Sequence, residues 1–157
     1  MLFCIVYLQS KHICNDYKLD FISKMDALEI LIKHDIKPSV QRLAVMEYML
    51  THFTHPTVDE IYSSLSRSIP TLSKTTIYNT LNLFEEQGVV LYLGIDKKNA
   101  RFDGNTSPHG HFRCKKCGAI IDIFNEKPGN VVLESHPELI IDDIQTYYTG
   151  YCNACNK

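Results

Sequence analysis

Apolar residues recur at helical spacing from Asp26 to His34, where Ala27, Leu28, Ile30, Leu31 and Ile32 supply the pattern. Lys37-Pro38-Ser39 breaks that run, because proline removes an amide donor and restricts the residue before it. Ser39 offers a side-chain oxygen to cap a second helix. In that helix Val40, Leu43, Ala44 and Leu50 are predicted to share one face, interrupted by Glu47. Thr57-Val58-Asp59-Glu60 spells a capping box, and Val58, Ile61, Tyr62 and Leu65 form the apolar stripe of a third helix. Pro70 ends that unit. Ser73 caps a fourth helix that runs to Gly88, which is read as its C′ residue.

The fourth helix has two unlike faces. Ile77, Leu81 and Phe84 point one way; Thr75, Tyr78, Asn79 and Asn82 point the other. Hydroxyls, a phenol and amides make a poor core and a poor charged surface, but they suit base edges and phosphates. After Gly88, Val89–Ile95 and Ala100–Asp103 alternate weakly around Asp96-Lys97-Lys98-Asn99, which predicts a β-hairpin with Lys97, Lys98 and Arg101 near its tip. Short helices, a polar-faced last helix and a hairpin together predict a winged helix-turn-helix over residues 25–103. A small helical domain that binds no DNA is the bland alternative, as is a surface role for Tyr78 at a domain seam.

Gly104–Pro108 reads as a linker into a second unit, residues 104–157. There His109–Arg113 and Ala119–Phe124 are predicted strands, Lys127-Pro128-Gly129 a turn, 130–135 a short helix, and Leu139–Asp142 and Ile144–Tyr151 further strands. About 50 residues bury too little to hold a domain by core packing alone, so a staple is expected. The fold class predicted is therefore α+β: an N-terminal winged helix-turn-helix followed by a small zinc-stapled α/β dimerisation domain. Residues 1–24 fit neither unit. Their apolar start, Leu2 to Leu8, has no basic segment ahead of it and is far shorter than a membrane span, so neither secretion nor membrane insertion is expected. Met25 opens the clean pattern and is read as the natural start, with 1–24 an extension of unknown role; a packed N-terminal strand or helix is the rival reading.

Composition changes the picture in one respect. The 45% hydrophobic and 22% charged fractions are ordinary, but the formal net charge is −2. Acidic residues outnumber basic ones even within residues 25–103. This balance does not suggest a general polyanion binder and weighs against DNA binding, so any DNA contact must rest on locally placed basic groups.

The candidate chemistry lies in the second unit. Cys114-x-x-Cys117 and Cys152-x-x-Cys155 supply the four thiolates of a tetrahedral structural Zn²⁺ site, which suits a cytoplasmic protein better than two disulfides do. Cys4 and Cys14 belong to neither pair. His109 and His111, two apart in a predicted strand, point to the same face. With Asp122 they are nitrogen and oxygen donors of the kind that bind iron, manganese or zinc.

Several motifs occur in one order: Lys37 to Arg42, His55-Pro56-Thr57 leading into Asp59-Glu60-Ile61-Tyr62, Thr75-Thr76-Ile77-Tyr78-Asn79, Arg101-Phe102-Asp103, His109-x-His111-Phe112-x-Cys114-x-x-Cys117-Gly118 and the final Cys152-x-x-Cys155. In this combination the chain resembles the ferric uptake regulator (Fur) superfamily from Met25 to Lys157. The resemblance implies a homodimeric transcriptional repressor, not an enzyme. It implies a regulatory Fe²⁺ or Mn²⁺ held by His55, Asp103, His109, His111 and Asp122, beside Zn²⁺ on the four cysteines. With Asp rather than Glu at position 122 and no His-rich run before His109, the pattern resembles the peroxide-responsive PerR branch. There peroxide oxidises ligand histidines, and the matching positions are His55 and His109. The alternative is an iron-responsive repressor of iron uptake genes.

DNA contact is implied for Lys37, Ser73, Thr75, Thr76, Tyr78 and Asn79, on a palindromic double-stranded operator. Asn79, where such proteins often carry Arg, shifts the expected preference toward adenine. One ion binding His55, Asp103 and the three donors beyond would pin the two halves together, a two-state switch set by the ion. A metalloenzyme or a zinc-stapled adaptor protein is the reading from another class; no separate general base or substrate pocket is apparent.

Overall fold

The computed structural model describes residues 26–124, 135, 136 and 138–157. The extension 1–24, Met25, the Lys127–Gly129 turn and all but the last residue of the helix predicted at 130–135 lie outside the described residues. Among the described residues four helices come first: α1 over 26–33, α2 Val40–Thr51, α3 Val58–Leu65 and α4 Lys74–Glu86. A two-stranded antiparallel sheet follows, β1 Leu91–Leu93 with β2 Arg101–Asp103. Then comes a three-stranded sheet of β3 Gly110–Cys114, β4 Ile120–Ile123 and β5 Thr146–Gly150, ordered β4-β3-β5. β3 and β4 are antiparallel; β3 and β5 are parallel.

The punctuation follows the side chains. Ser39 accepts from the Arg42 amide at 3.2 Å and Ser73 from the Thr76 amide at 3.0 Å, so each occupies an N-cap. Thr57 and Glu60 complete the reciprocal box. α4 closes on Gly88 at φ +68, with Gly88 N donating to the Glu85 carbonyl and Val89 N to the Phe84 carbonyl. That is a Schellman ending. α1 ends in the same way, but with Asp35 in the left-handed position (φ +55), Asp35 N donating to the Ile32 carbonyl and Ile36 N to the Leu31 carbonyl.

The core joins Leu31 and Ile36, then Val45, Met46 and Met49 of α2, Ile61 of α3, Ile77, Leu81 and Phe84 of α4, and Phe102 of β2. Two expectations change. The fully buried stripe of α2 is Val45, Met46 and Met49; of the expected face Leu43 and Leu50 pack against that core, while Val40 is 69% exposed; as the first helical residue it precedes the turns that pack. Leu139–Asp142 forms no strand. Its β-branched residues favour extended chain, but β3 already has neighbours on both edges, and Ile140 is 90% exposed.

Candidate metal centre

Two groups of donors form within the second half of the chain and at its seam with the helices. In the first, the sulfurs of Cys114, Cys117, Cys152 and Cys155 all lie within 4.8 Å of one another and none is in a disulfide. Cys114 ends β3, and a turn fastened by Gly118 N donating to the Cys114 carbonyl brings Cys117 back; Gly118 supplies the required φ of +75. The parallel pairing of β3 with β5 sets Gly150 opposite Cys114, which delivers Cys152 and Cys155 to the same end of the sheet. Cys117 Sγ and Cys152 Sγ are 3.8 Å apart. Four sulfurs around an ion at about 2.3 Å would be separated by about 3.8 Å.

The electrostatics of this group are lopsided. The amides of Cys117 and Cys152 hold the Cys114 thiol down at about 5. The neighbouring Cys152 sulfur and burial push Cys155 up to about 12. Four thiolates this close repel one another, and a divalent cation removes the penalty.

The second group is built from three places. His55 lies in the loop between α2 and α3, Asp103 ends β2, His109 is the residue before β3, His111 belongs to β3 and Asp122 to β4. The β3–β4 register sets His111 directly across from Asp122, so the two side chains share a face. Asp103 Oδ2 lies 3.0 Å from His109 Nε2, 3.2 Å from His111 Nε2 and 3.7 Å from His55 Nε2. Asp122 Oδ1 lies 2.7 Å from His55 Nε2, 3.6 Å from His109 Nε2 and 3.8 Å from His111 Nε2. All five donor atoms fall within 4.8 Å of one another. Donors on opposite sides of an ion with bonds of about 2.1 Å lie about 4.2 Å apart.

Neighbours aim these donors. His109 Nδ1 lies 2.7 Å from the Ser107 carbonyl; an N–H there donates outward and turns the Nε2 lone pair inward. Asp103 Oδ1 accepts from the Asn105 amide at 2.9 Å, which leaves Oδ2 facing the histidines. Burial raises the Asp103 carboxyl, but the His111 hydrogen bond, the Asn105 amide and the electrostatic attraction of the nearby His55 and His109 rings outweigh it and hold the group below its ordinary value. Phe124 stacks on the His109 ring at 5.1 Å. Phe124 was not singled out in the sequence, and a lone exposed aromatic gives no signal that it covers a histidine.

The residues fit an ion on two grounds. His55 Nε2, His109 Nε2 and Asp122 Oδ1 are buried without any hydrogen-bond partner, although His55 and Asp122 approach to 2.7 Å. A shared cation reconciles that approach with the missing bond. Further, His55 adopts φ +52, a region non-glycine residues rarely enter, at a cost of about 1–3 kcal/mol. Its carbonyl accepts from Arg101 Nη1 at 3.0 Å. Arg101, expected at the hairpin tip, is instead turned inward toward His55, Glu60 and Asp96.

The residues expected to meet DNA sit on a separate surface. Lys37, Ser73, Thr75, Tyr78 and Asn79 are exposed and Thr76 is half-buried. Lys37, Thr76 and Asn79 line one cleft of about 390 Å³ between the start of α2 and α4. The Ser73 and Thr76 hydroxyls lie 2.8 Å apart and cap the helix, so Thr75, Tyr78 and Asn79 carry the outward face. No described helix is long and apolar enough to cross a membrane.

Comparison with known proteins agrees with this arrangement. The chain is 41% identical over 136 residues to a peroxide-responsive repressor PerR of Staphylococcus epidermidis, covering 84% of this chain and 89% of that one. The ferric uptake regulator Fur of Helicobacter pylori, whose structure is described as having three functional metal binding sites, superposes with a TM-score of 0.64 at 25% identity, over 88% of this chain and 94% of that one. The peroxide stress regulator of Campylobacter jejuni gives 0.61 at 28% identity, over 82% and 98%. The Ferric uptake regulator family model matches residues 33–137, and the chain belongs to that family.

Proposed function

We propose that the chain is a metal-dependent DNA-binding repressor that senses hydrogen peroxide through oxidation of histidines at its regulatory metal site. The observation that carries the reading is the convergence of His55, Asp103, His109, His111 and Asp122 from both ends of the molecule onto one point. Three imidazoles and two carboxylates suit Fe²⁺ or Mn²⁺, and the thiol group suits Zn²⁺. A bound Fe²⁺ would supply the redox chemistry that activates peroxide; in net terms one peroxide oxygen passes to an imidazole, which gives up two electrons, and the other leaves as water.

The protein's own residues do the rest. Ser107 and Asn105 aim His109 and Asp103, as described above, and β3–β4 pairing holds His111 against Asp122. His55 ties this group to the helical half, so a change in one imidazole loosens the hold on the recognition helix α4. Residues 25–103 serve as the DNA-binding unit, with Lys37, Ser73, Thr75, Thr76, Tyr78 and Asn79 at the operator. Residues 104–157 serve as the dimerisation unit. The exposed run Leu139, Ile140 and Ile141 supports a partner there. A two-fold dimer would present two α4 helices to a palindromic site, in the cytoplasm.

The test is a gel shift with Mn²⁺ or Fe²⁺ protein, before and after peroxide, with peptide mass mapping. Metal-dependent binding that is lost with peroxide only in the Fe²⁺ form, with one added oxygen atom on His55 or His109, is the expected result. Unmodified histidines and retained binding would leave the iron-responsive reading.

A further inference from the structure

A line of charge runs beside the five-donor group and joins the same two halves without a metal. Arg113 of β3 places Nη2 3.5 Å from Asp96 Oδ1. Asp96 lies in the turn after β1; its side chain is 8% exposed, and Oδ1 also accepts from the Lys98 amide at 3.1 Å. The other oxygen, Oδ2, is 3.6 Å from Arg101 Nε. Arg101 in turn donates to the carbonyl of His55. A sheet residue, a wing residue and a metal-binding candidate are thus linked through one carboxylate. Arg101 Nε and Arg113 Nε are both buried without a hydrogen-bond partner; Asp96 holds Arg113 by a long hydrogen bond from Nη2 at 3.5 Å and Arg101 by charge. Alongside, the Gly94 amide donates to the Tyr147 hydroxyl at 3.1 Å, and the Tyr147 ring lies 6.2 Å from that of His111.

We infer that Asp96 is a positioning residue for the regulatory site: it fastens the wing to β3 through Arg113 and, through Arg101, keeps the His55 backbone where its imidazole meets Asp122. The inference rests on the metal-site reading above. Its consequence is that the donors stay gathered in the metal-free protein. An ion then meets a site that is mostly assembled, and apparent affinity scales with the fraction assembled. Removing the carboxylate takes from Arg113 its acidic partner and leaves Arg101 with Glu60 alone, which loosens the seam.

The experiment uses the full-length, zinc-loaded protein and titrates Mn²⁺ into wild type, Asp96→Asn, Asp96→Glu, Arg113→Gln and the Asp96→Asn/Arg113→Gln double variant. Asp96→Asn should weaken Mn²⁺ binding about two- to fivefold, the most that losing a partly exposed ion pair can take from the assembled fraction. Zinc should remain bound at the wild-type level, and Asp96→Glu should restore most of the affinity. The double variant should match Asp96→Asn alone and fall clearly short of the product of the two single losses, because the partners act as a pair. Exchange of the Gly94 amide, followed in the metal-free protein, should quicken in Asp96→Asn. Unchanged Mn²⁺ affinity with unchanged Gly94 exchange would overturn the inference, as would losses that simply multiply. Should Asp96→Asn shed its zinc, Arg113→Gln and Asp96→Glu carry the comparison by the same criteria. A His111→Ala control separates the two failures: wild-type Mn²⁺ affinity in that variant would sink the metal-site reading, whereas Gly94 exchange still reports on Asp96.

Discussion

The two donor groups sit at opposite ends of β3 and differ in almost every physical respect. The thiol group is local: two Cys-x-x-Cys turns are brought to one end of a three-stranded sheet by pairings that stay within residues 110–155. The nitrogen and oxygen group is assembled across the molecule, from the α2–α3 loop, the end of β2 and the β3–β4 pair. One of its donors, His55, stands in a left-handed backbone conformation. A site made within one small unit can only hold that unit together. A site made from two units can report on their relation. The difference is therefore one of topology before it is one of ligand chemistry.

The sharpest way to break the comparison is to remove a sulfur. Cys117→Ser should abolish stoichiometric zinc and unfold the three-stranded sheet, a loss of several kcal/mol, because metal binding to such a site is itself folding free energy. Zinc analysis with circular dichroism checks it; a well-folded, zinc-free variant would show that the thiols are not the staple. Next in size, His111→Ala should weaken Mn²⁺ or Fe²⁺ binding by at least about 100-fold while zinc stays in place. Metal titration in parallel with zinc content reads both. Loss of both metals from one substitution would erase the distinction between a structural and a regulatory site.

Which of these features the sequence displays depends on how local they are. The Thr57–Glu60 box, the Ser39 and Ser73 caps and the Gly88 ending are written in a few adjacent residues, and the structure shows each of them. Both donor groups were nameable, the cysteines from spacing and the other five largely from family resemblance. What was not legible depends on register and on which side of a turn a side chain falls. Arg101 reads as a hairpin-tip cation because its neighbours are Lys97 and Lys98, yet it turns inward to the His55 carbonyl. Asp96 reads as a turn residue. Its role follows only from Arg113, seventeen residues away, which the β1–β2 hairpin and β3 bring alongside. Leu139–Asp142 has strand composition and no strand, since propensity does not supply a partner.

A smaller effect would sharpen the comparison from the helical side. Thr57→Ala removes the cap that begins α3 two residues after His55, and should cost about 1 kcal/mol. The loss should appear in the melting of the helical half and as a modest decrease in regulatory-metal affinity, with zinc affinity unchanged. Equal decreases in both affinities would mean that the cap acts on the whole molecule and not on the placement of His55.

The smallest effect concerns pH. The Lys98 amide, with the charges of Arg113 and Arg101, holds the Asp96 carboxyl below its ordinary value against the opposing effect of burial. A carboxyl depressed on folding contributes stability that is fully present above its unfolded value, about 3.9, and that is lost as pH falls through the folded value. The wing contact should therefore be constant through the neutral range. In metal-free protein at pH 7, Asp96→Asn should be less stable than wild type by about 0.5–1 kcal/mol, the scale of partly exposed ion pairs. The gap should close as acid titrates the wild-type carboxylate, because the two proteins then carry nearly the same neutral side chain. Denaturant melts at pH 7 and at successively lower pH test this. A gap that persists unchanged into strong acid would assign the contact to hydrogen-bond geometry and not to charge, and the seam would then lack the electrostatic fastening that sets it apart from the thiol end of the sheet.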